Sequence, residues 1–485
     1  MERSKTVVKI VEVCKVAPPP TTAASDQDSS SSPNSLPLTF FDIPWLRFPP
    51  VQRLFFYEFS NLDDHANKNT TSFFHSDILP KLKHSLSLTL QHFLPLAGNL
   101  TWPESSYKPI FVYVEGDEAV SLTVAETDAD FYRLSGTNEF LEATEYHPLI
   151  PNLSVSHERA AALALQITFF PNCGFSIGMT MHHAALDGKS VQLFVKSWAR
   201  MCRSRGEYYC SSDQLKPLYD RTVIKDPTGL DAIFAKQLRD LDNGPDNRSL
   251  IPWSFKQVPS GSVRGTFHLT HANIENLKQY LVKTNEQHHL STFCVTCAYI
   301  WVCLNKAEET YHGSQMSALG FAVDSRSHLV DPVPETYFGN CHVGKVVFAD
   351  AKRLVGKEGL AVAVKVIGGS ISSLEIKGSV LNGAENLVSS FIESFSRSES
   401  DEGKARPIIY YIAGSPGFEV YSSDFGWGRP RKTDVVSIDR TRAVSLSETR
   451  NGDGVEAELV LKTQHMEAFA SFFAKGLESI SSNSS

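Results

Sequence analysis

Apolar residues along this chain switch repeatedly between strand spacing and helix spacing, and no apolar run approaches the ~18 residues that a membrane-crossing helix needs. Alternating runs at 51–59, 110–114, 120–124, 162–170 and 175–181 predict strands. Between them, Ile78, Leu79, Leu82, Leu86, Leu90 and Phe93 recur three or four apart and predict a helix over 74–94, closed by Pro95, Gly98 and Asn99. A further helix is predicted over 191–201. The second half repeats the mixture: strands at 265–269, 318–323, 344–348, 408–413 and 456–461, and helices at 274–284, 291–306, 354–374 and 466–480. Such a mixture without a regular βαβ repeat predicts an α/β protein built in layers. With 485 residues, 42% of them hydrophobic, the chain is long enough for two or three domains. The polar, turn-rich stretch 240–262 divides it into halves of similar size: an N-terminal domain over 1–225, a crossover over 226–262 and a C-terminal domain over 263–485. The Pro- and Ser-rich segment 17–37 and the charged segment 394–407 read as loops.

Charge and cysteine usage narrow the class. The net charge of −8 and the pI near 6.1, with no long Lys/Arg run, argue against nucleic acid as the main partner. The N-terminal strand-like run Val7 to Val16 is interrupted by Lys9, Glu12 and Lys15, so it lacks the apolar stretch of a signal peptide. Eight cysteines in such a chain are expected to be reduced thiols in the cytosol. No membrane attachment is expected, and nothing signals an oligomer.

Four motifs could carry chemistry. In MTMHHAALDGKS, residues 179–190, a strand runs into His182 and His183, with Asp187 four residues after His183 and Gly188 permitting a sharp turn. A neutral imidazole can take a proton from a hydroxyl at cellular pH. The acid could orient that ring, or pin the loop by pairing with a base elsewhere, or simply cap the next helix. GFSIG at 174–178 fits the Gly-x-Ser-x-Gly elbow, with Ser176 as nucleophile, but apolar alternation continues past the serine to Met181, where an elbow needs a helix. DFGWG at 424–428 lacks every other kinase signature and reads as a tight turn with Phe425 and Trp427 packed inward. Cys294 and Cys297 have no second ligand pair and read as core thiols on an apolar helix.

In combination, HHAALD near residue 185, YFGNC at 337–341 and DFGWG near residue 426 resemble the plant BAHD acyl-CoA-dependent acyltransferases. LPLTFFDIPWL at 36–46, HFLPLAGNL at 92–100 and AVDSRSHL at 322–329 look like further segments of that family, so the resemblance spans nearly the whole chain. It implies a chloramphenicol-acetyltransferase-like fold: two similar domains of mixed sheet and helices with a solvent channel at their interface. It also implies transfer of an acyl group from an acyl-CoA co-substrate to a hydroxyl, with no acyl-enzyme, no metal and no resident cofactor, by a monomer acting on small molecules. His183 would be the general base. Asp187 would shape the loop by pairing with Arg326, and Asp424, Phe425, Gly426, Trp427 and Gly428 would form a structural motif away from the chemistry. YFGNC points to the branch acylating anthocyanin, flavonoid and other phenolic glucosides. A malonyl donor is favoured, with Lys189 as the cation for its free carboxylate, and a hydroxycinnamoyl donor is the alternative. A serine hydrolase using Ser176 and a non-catalytic binding protein are the readings from other classes.

Overall fold

The computed structural model describes residues 6–20, 32–59, 70–137, 139–204, 216–241, 246–254, 257–283, 290–309, 316–396 and 407–482. Residues 21–31 of the expected 17–37 loop, and 397–406 of the 394–407 loop, lie outside the described residues. The described end of the first of these holds a short strand, Ser35–Pro37, whose Leu36 is buried.

The alternating runs become two large mixed sheets and one small one. The first sheet has six strands in the order Lys9–Val16, Val120–Glu126, Leu163–Phe170, Gly174–Met181, Val51–Glu58 and Lys432–Val435. The second has seven: His342–Asp350, Met316–Asp324, Ile408–Gly414, Ala443–Glu448, Gly454–Lys462, Ser262–Thr270 and Leu141–Glu142. A four-stranded sheet of three-residue strands carries Ser35–Pro37, Ile110–Val112, Asn99–Thr101 and Arg159–Ala161. The α/β class with two mixed sheets agrees with the sequence. The central strands Leu163–Phe170 and Gly174–Met181 are buried along their whole length, because helices or loops cover both faces. Among the described residues no helix is long and apolar enough to cross a membrane.

The two halves exchange strands. Lys432–Val435 comes from the second half yet pairs antiparallel with Val51–Glu58 at the edge of the first sheet, while Leu141–Glu142 from the first half caps the second sheet beside Ser262–Thr270. Both exchanged strands are too short, and the first too polar, to be read from hydropathy. A buried ion cluster explains the polarity. Lys432 and Asp434 meet Arg264 and Glu458 from the second sheet, with Arg264 Nη1 3.1 Å from Glu458 and Lys432 Nζ 3.3 Å from the Tyr146 hydroxyl. The Arg264 and Lys432 cations persist this deep because acidic side chains face them, while burial and the neighbouring Asp434 push the Glu458 carboxyl up.

Three helices differ from expectation for local reasons. The helix expected over 74–94 starts at Thr70 and ends at Leu90, with a wide five-residue turn at Phe74–Ile78 before Leu79–Leu90. Pro80 has no N–H to give the preceding turn, and the wider turn absorbs that loss. The helix expected over 354–374 breaks at Gly356 into Ala351–Val355 and Gly359–Ser372. Within the 226–262 span, Leu230–Arg239 is a helix that buries Leu230, Phe234, Ala235 and Leu238 in the first core.

The DFGWG turn delivers the exchanged strand. Asp424 Oδ1 accepts hydrogen bonds from the Gly426 and Gly428 amides at 2.7 and 3.0 Å. Both glycines sit at positive φ, 108° and 102°, where side chains are strained. Phe425 is buried edge-on to Trp198 (4.9 Å) and Tyr57 (5.5 Å), and Trp427 lies against Phe175. Phe425→Ala is therefore expected to lower stability by about 3–5 kcal/mol in urea unfolding; a loss below 1 kcal/mol would mean that the ring is not a core anchor.

Candidate active site

The strand Gly174–Met181 ends where the motif begins, and Asp187 starts the helix Gly188–Arg203 as its N-cap. One carboxylate makes three separate attachments. Oδ1 accepts the Ser190 amide at 2.9 Å, satisfying the helix end. Oδ2 accepts from Arg326 Nη1 at 2.8 Å and from the Cys341 amide at 3.1 Å. Arg326 is 1% exposed and also reaches Asp324 at 3.0 Å and the Tyr337 carbonyl at 3.0 Å. Burial alone would push the Asp187 carboxyl up, but the Arg326 charge and hydrogen bond prevail and hold it below the usual carboxylate range. Ser190 adds a fourth tie, donating its hydroxyl to the Gly339 carbonyl at 3.0 Å and accepting the Gly339 amide at 3.1 Å. The motif loop, the AVDSRSHL segment and the YFGNC segment thus meet at one point between the halves.

His183 stands on the other side of this knot, and neither oxygen of Asp187 bonds to it. Its ring stacks on Trp45 at 4.4 Å with 9° between planes, and Phe48 lies edge-on at 5.8 Å. His342 is 5.0 Å from the same indole, and Phe391 packs against both Trp45 and Phe48. Enclosure pulls the His183 imidazole down to about 3, with His342 adding to the effect, so the ring is neutral at cellular pH. Its Nδ1 is buried, and the ring's hydrogen-bonding contact is with the residue's own backbone rather than with an acid. The backbone is better held: Asn340 Nδ2 donates to the His183 carbonyl and to Asp42 Oδ1, both at 3.1 Å, and the Asn340 amide donates to Asp42 at 2.8 Å. Chemically this is a neutral imidazole in an aromatic enclosure, able to accept a proton from a hydroxyl beside it.

His182 faces elsewhere. Its Nδ1 accepts the Ala184 amide at 3.2 Å, its ring lies edge-on to Phe111 of the small sheet, and burial holds it at about 4. Gly188 has no left-handed backbone, so the turn does not require it. A Cβ there would run into the Phe418 ring, and close packing is the reason for the glycine. Lys189 is ion-paired to Asp324 at 2.6 Å and to Glu335; burial opposes its charge, but these two carboxylates raise its pKa. It lines a cleft of about 870 Å³ along the helix Gly188–Arg203, together with Lys196, Arg200, Arg203 and Phe418. Asp424 lies at the far end of that cleft, 3.6 Å from Arg203. Ser176 is fully buried in mid-strand with its hydroxyl unpartnered, and the strand continues to Met181, so there is no nucleophile elbow. Cys294 and Cys297 are buried on the helix Thr292–Ala307, and burial pushes the Cys294 thiol up to about 12. Among the described residues no group of His, Cys, Asp or Glu is placed to hold a metal ion.

Trp45, Asn340, Asp42 and His342 complete the site and were not singled out from the sequence. The first three lie inside quoted segments, FFDIPWL and YFGNC, but single-chain patterning gives no sign of which side chains in them turn toward His183.

The chain matches the Transferase family over residues 24–475. It is 40% identical to phenolic glucoside malonyltransferase 2 of Arabidopsis thaliana, the alignment covering 97% of this chain and 99% of that protein. It is 39% identical to the malonyl-CoA:anthocyanidin 5-O-glucoside-6''-O-malonyltransferase of the same plant, covering 99% and 100%. Among solved structures, vinorine synthase superposes with a TM-score of 0.63 over 95% of this chain and 96% of its own, at 20% identity, which is a likeness of fold.

Two outcomes are expected from this geometry. Arg326→Met leaves the Asp187 carboxylate buried and uncompensated, and should cost about 3–5 kcal/mol in urea unfolding; Asp187→Asn, which keeps an acceptor for the Ser190 amide, should cost less. Equal, sub-kilocalorie losses would show that the pair holds nothing. Second, stability should depend on acid. His182, His183 and His342 are lowered in the folded state, so below about pH 6.5 the unfolded chain binds protons that the native state does not. The melting temperature should fall steadily from pH 7 to pH 5, with His182→Gln reducing the slope. A flat or rising profile would contradict the neutral, buried rings.

Proposed function

This chain belongs to the BAHD family of acyl-CoA-dependent O-acyltransferases, and on that premise we propose that it moves a malonyl group from malonyl-CoA to a sugar hydroxyl of a phenolic or flavonoid glucoside, with His183 as general base. The observation that carries the mechanism is the neutral imidazole at the junction of the halves, with no competent nucleophile beside it. The two malonyltransferases at about 40% identity over essentially the whole chain support the donor and the glucoside class.

The acceptor hydroxyl binds against His183. As its oxygen attacks the thioester carbonyl, the imidazole takes the hydroxyl proton, a contribution of roughly 10²–10⁴ in rate. The tetrahedral intermediate then collapses, the C–S bond breaks, and the proton passes from His183 to the departing coenzyme A thiolate. No acyl-enzyme forms in this scheme, since Ser176 is locked in mid-strand and Cys341 has a thiol pKa raised by burial. Asp187 acts through Arg326 and the helix cap to fix the loop, without touching the reacting atoms. Lys189 is the cation assigned to the malonyl carboxylate. It rests against Asp324 and the largely exposed Glu335, so donor binding exchanges the Glu335 carboxylate for that of the substrate. DFGWG holds the fold around this centre. The reading is of a monomeric cytosolic enzyme acting on small molecules.

The test is thiol release by purified protein given malonyl-CoA or p-coumaroyl-CoA, each with a panel of phenolic glucosides. Release with malonyl-CoA should require the glucoside and fall at least 100-fold in His183→Ala. Lys189→Met should raise the KM for malonyl-CoA while leaving that for acetyl-CoA unchanged. Preference for the coumaroyl donor would move the donor assignment to the hydroxycinnamoyl class, and undiminished activity in His183→Ala would overturn the mechanism.

A further inference from the structure

A general base is usually held in place by a third group hydrogen-bonded to its second nitrogen. Here no acid does so: Asp187 is committed to Ser190, Arg326 and Cys341, and the hydrogen-bonding contact of the His183 ring is with the residue's own backbone. We propose that Trp45 is the positioning residue for His183, holding the imidazole by face-to-face stacking where a hydrogen-bonded acid would otherwise do so. This rests on His183 being the base.

The geometry is built for that purpose. The rings are 4.4 Å apart and 9° from parallel, closer to coplanar than any other aromatic contact around either residue. Trp45 closes the short helix Ile43–Trp45, whose N-cap is the fully buried Asp42. That same Asp42 receives both Asn340 donors, and Asn340 in turn holds the His183 carbonyl. The residue that begins the Trp45 helix thus also anchors, through Asn340, the backbone of His183. Phe391 and His342 pack on the indole and limit its rotation. When the ring takes the hydroxyl proton it becomes a cation over an indole face, which is the most favourable aromatic surface for it. The stack thus favours the protonated ring that forms during attack over the neutral ring of the ground state. An interaction of this kind raises kcat and leaves substrate binding alone.

The experiment compares Trp45→Leu, Trp45→Phe and His183→Ala with the wild type, using malonyl-CoA and a flavonoid glucoside and checking folding by circular dichroism and urea unfolding. Trp45→Leu should lose about 10- to 100-fold in kcat with each KM within about threefold of wild type, and Trp45→Phe should recover most of the loss. Trp45→Met replaces the leucine variant should that one not fold. An unchanged kcat, a loss confined to KM, or a phenylalanine variant as poor as the leucine would each overturn the assignment. If His183→Ala keeps turnover, the base assignment falls first; if it is inactive while Trp45→Leu is normal, only the stacking role falls.

Discussion

A single buried carboxylate organises this molecule's centre. Asp187 caps the helix Gly188–Arg203, receives the Arg326 guanidinium and accepts the Cys341 amide, so one side chain joins the loop that carries His183 to two segments of the second half. Its charge is tolerable only because Arg326, itself almost wholly buried, faces it and is satisfied in turn by Asp324 and the Tyr337 carbonyl. The second buried cluster, Arg264, Lys432, Asp434 and Glu458, works in the same way at the strand exchange. In both places the halves meet through paired charges in a low-dielectric setting, which fixes their relative position more specifically than apolar contact alone could.

The histidine at this junction is shaped by what surrounds it and by what is absent. Burial of the ring, with His342 alongside, makes a positive charge unfavourable and leaves a neutral proton acceptor. Asp187 shapes the loop but does not polarise the imidazole. The orienting load falls on backbone ties from Asn340 and on the indole plate.

The sequence carried the repetitive parts of the fold well. Strands such as Val51–Glu58 and Gly174–Met181, and the apolar helix Thr292–Ala307, have patterns dense enough to identify unaided. Lys432–Val435 was not legible because its Lys-Thr-Asp-Val sequence reads as a polar turn until Arg264 and Glu458, far away in the chain, surround it. Gly188 invited a turn explanation, yet its neighbour Phe418 is 230 residues on, which no local rule can supply. Of the site, the motif and the family resemblance pointed to His183, Asp187 and Arg326 and left Trp45 and Asn340 as anonymous members of quoted segments. Lys189 stands out in the sequence by its charge alone; that Asp324 and Glu335 already flank it is a tertiary fact.

The most direct test of a neutral, enclosed His183 acting as base is the pH dependence of kcat/KM for the wild-type enzyme, followed by thiol release with malonyl-CoA and a phenolic glucoside. A base whose pKa is pulled down to about 3 by enclosure predicts a rate that stays level from pH 8 to well below pH 6.5 before the acid limb begins. An acid limb at or above pH 6.5 would mean that the working base titrates as an ordinary or more basic group, and would contradict this account of the site.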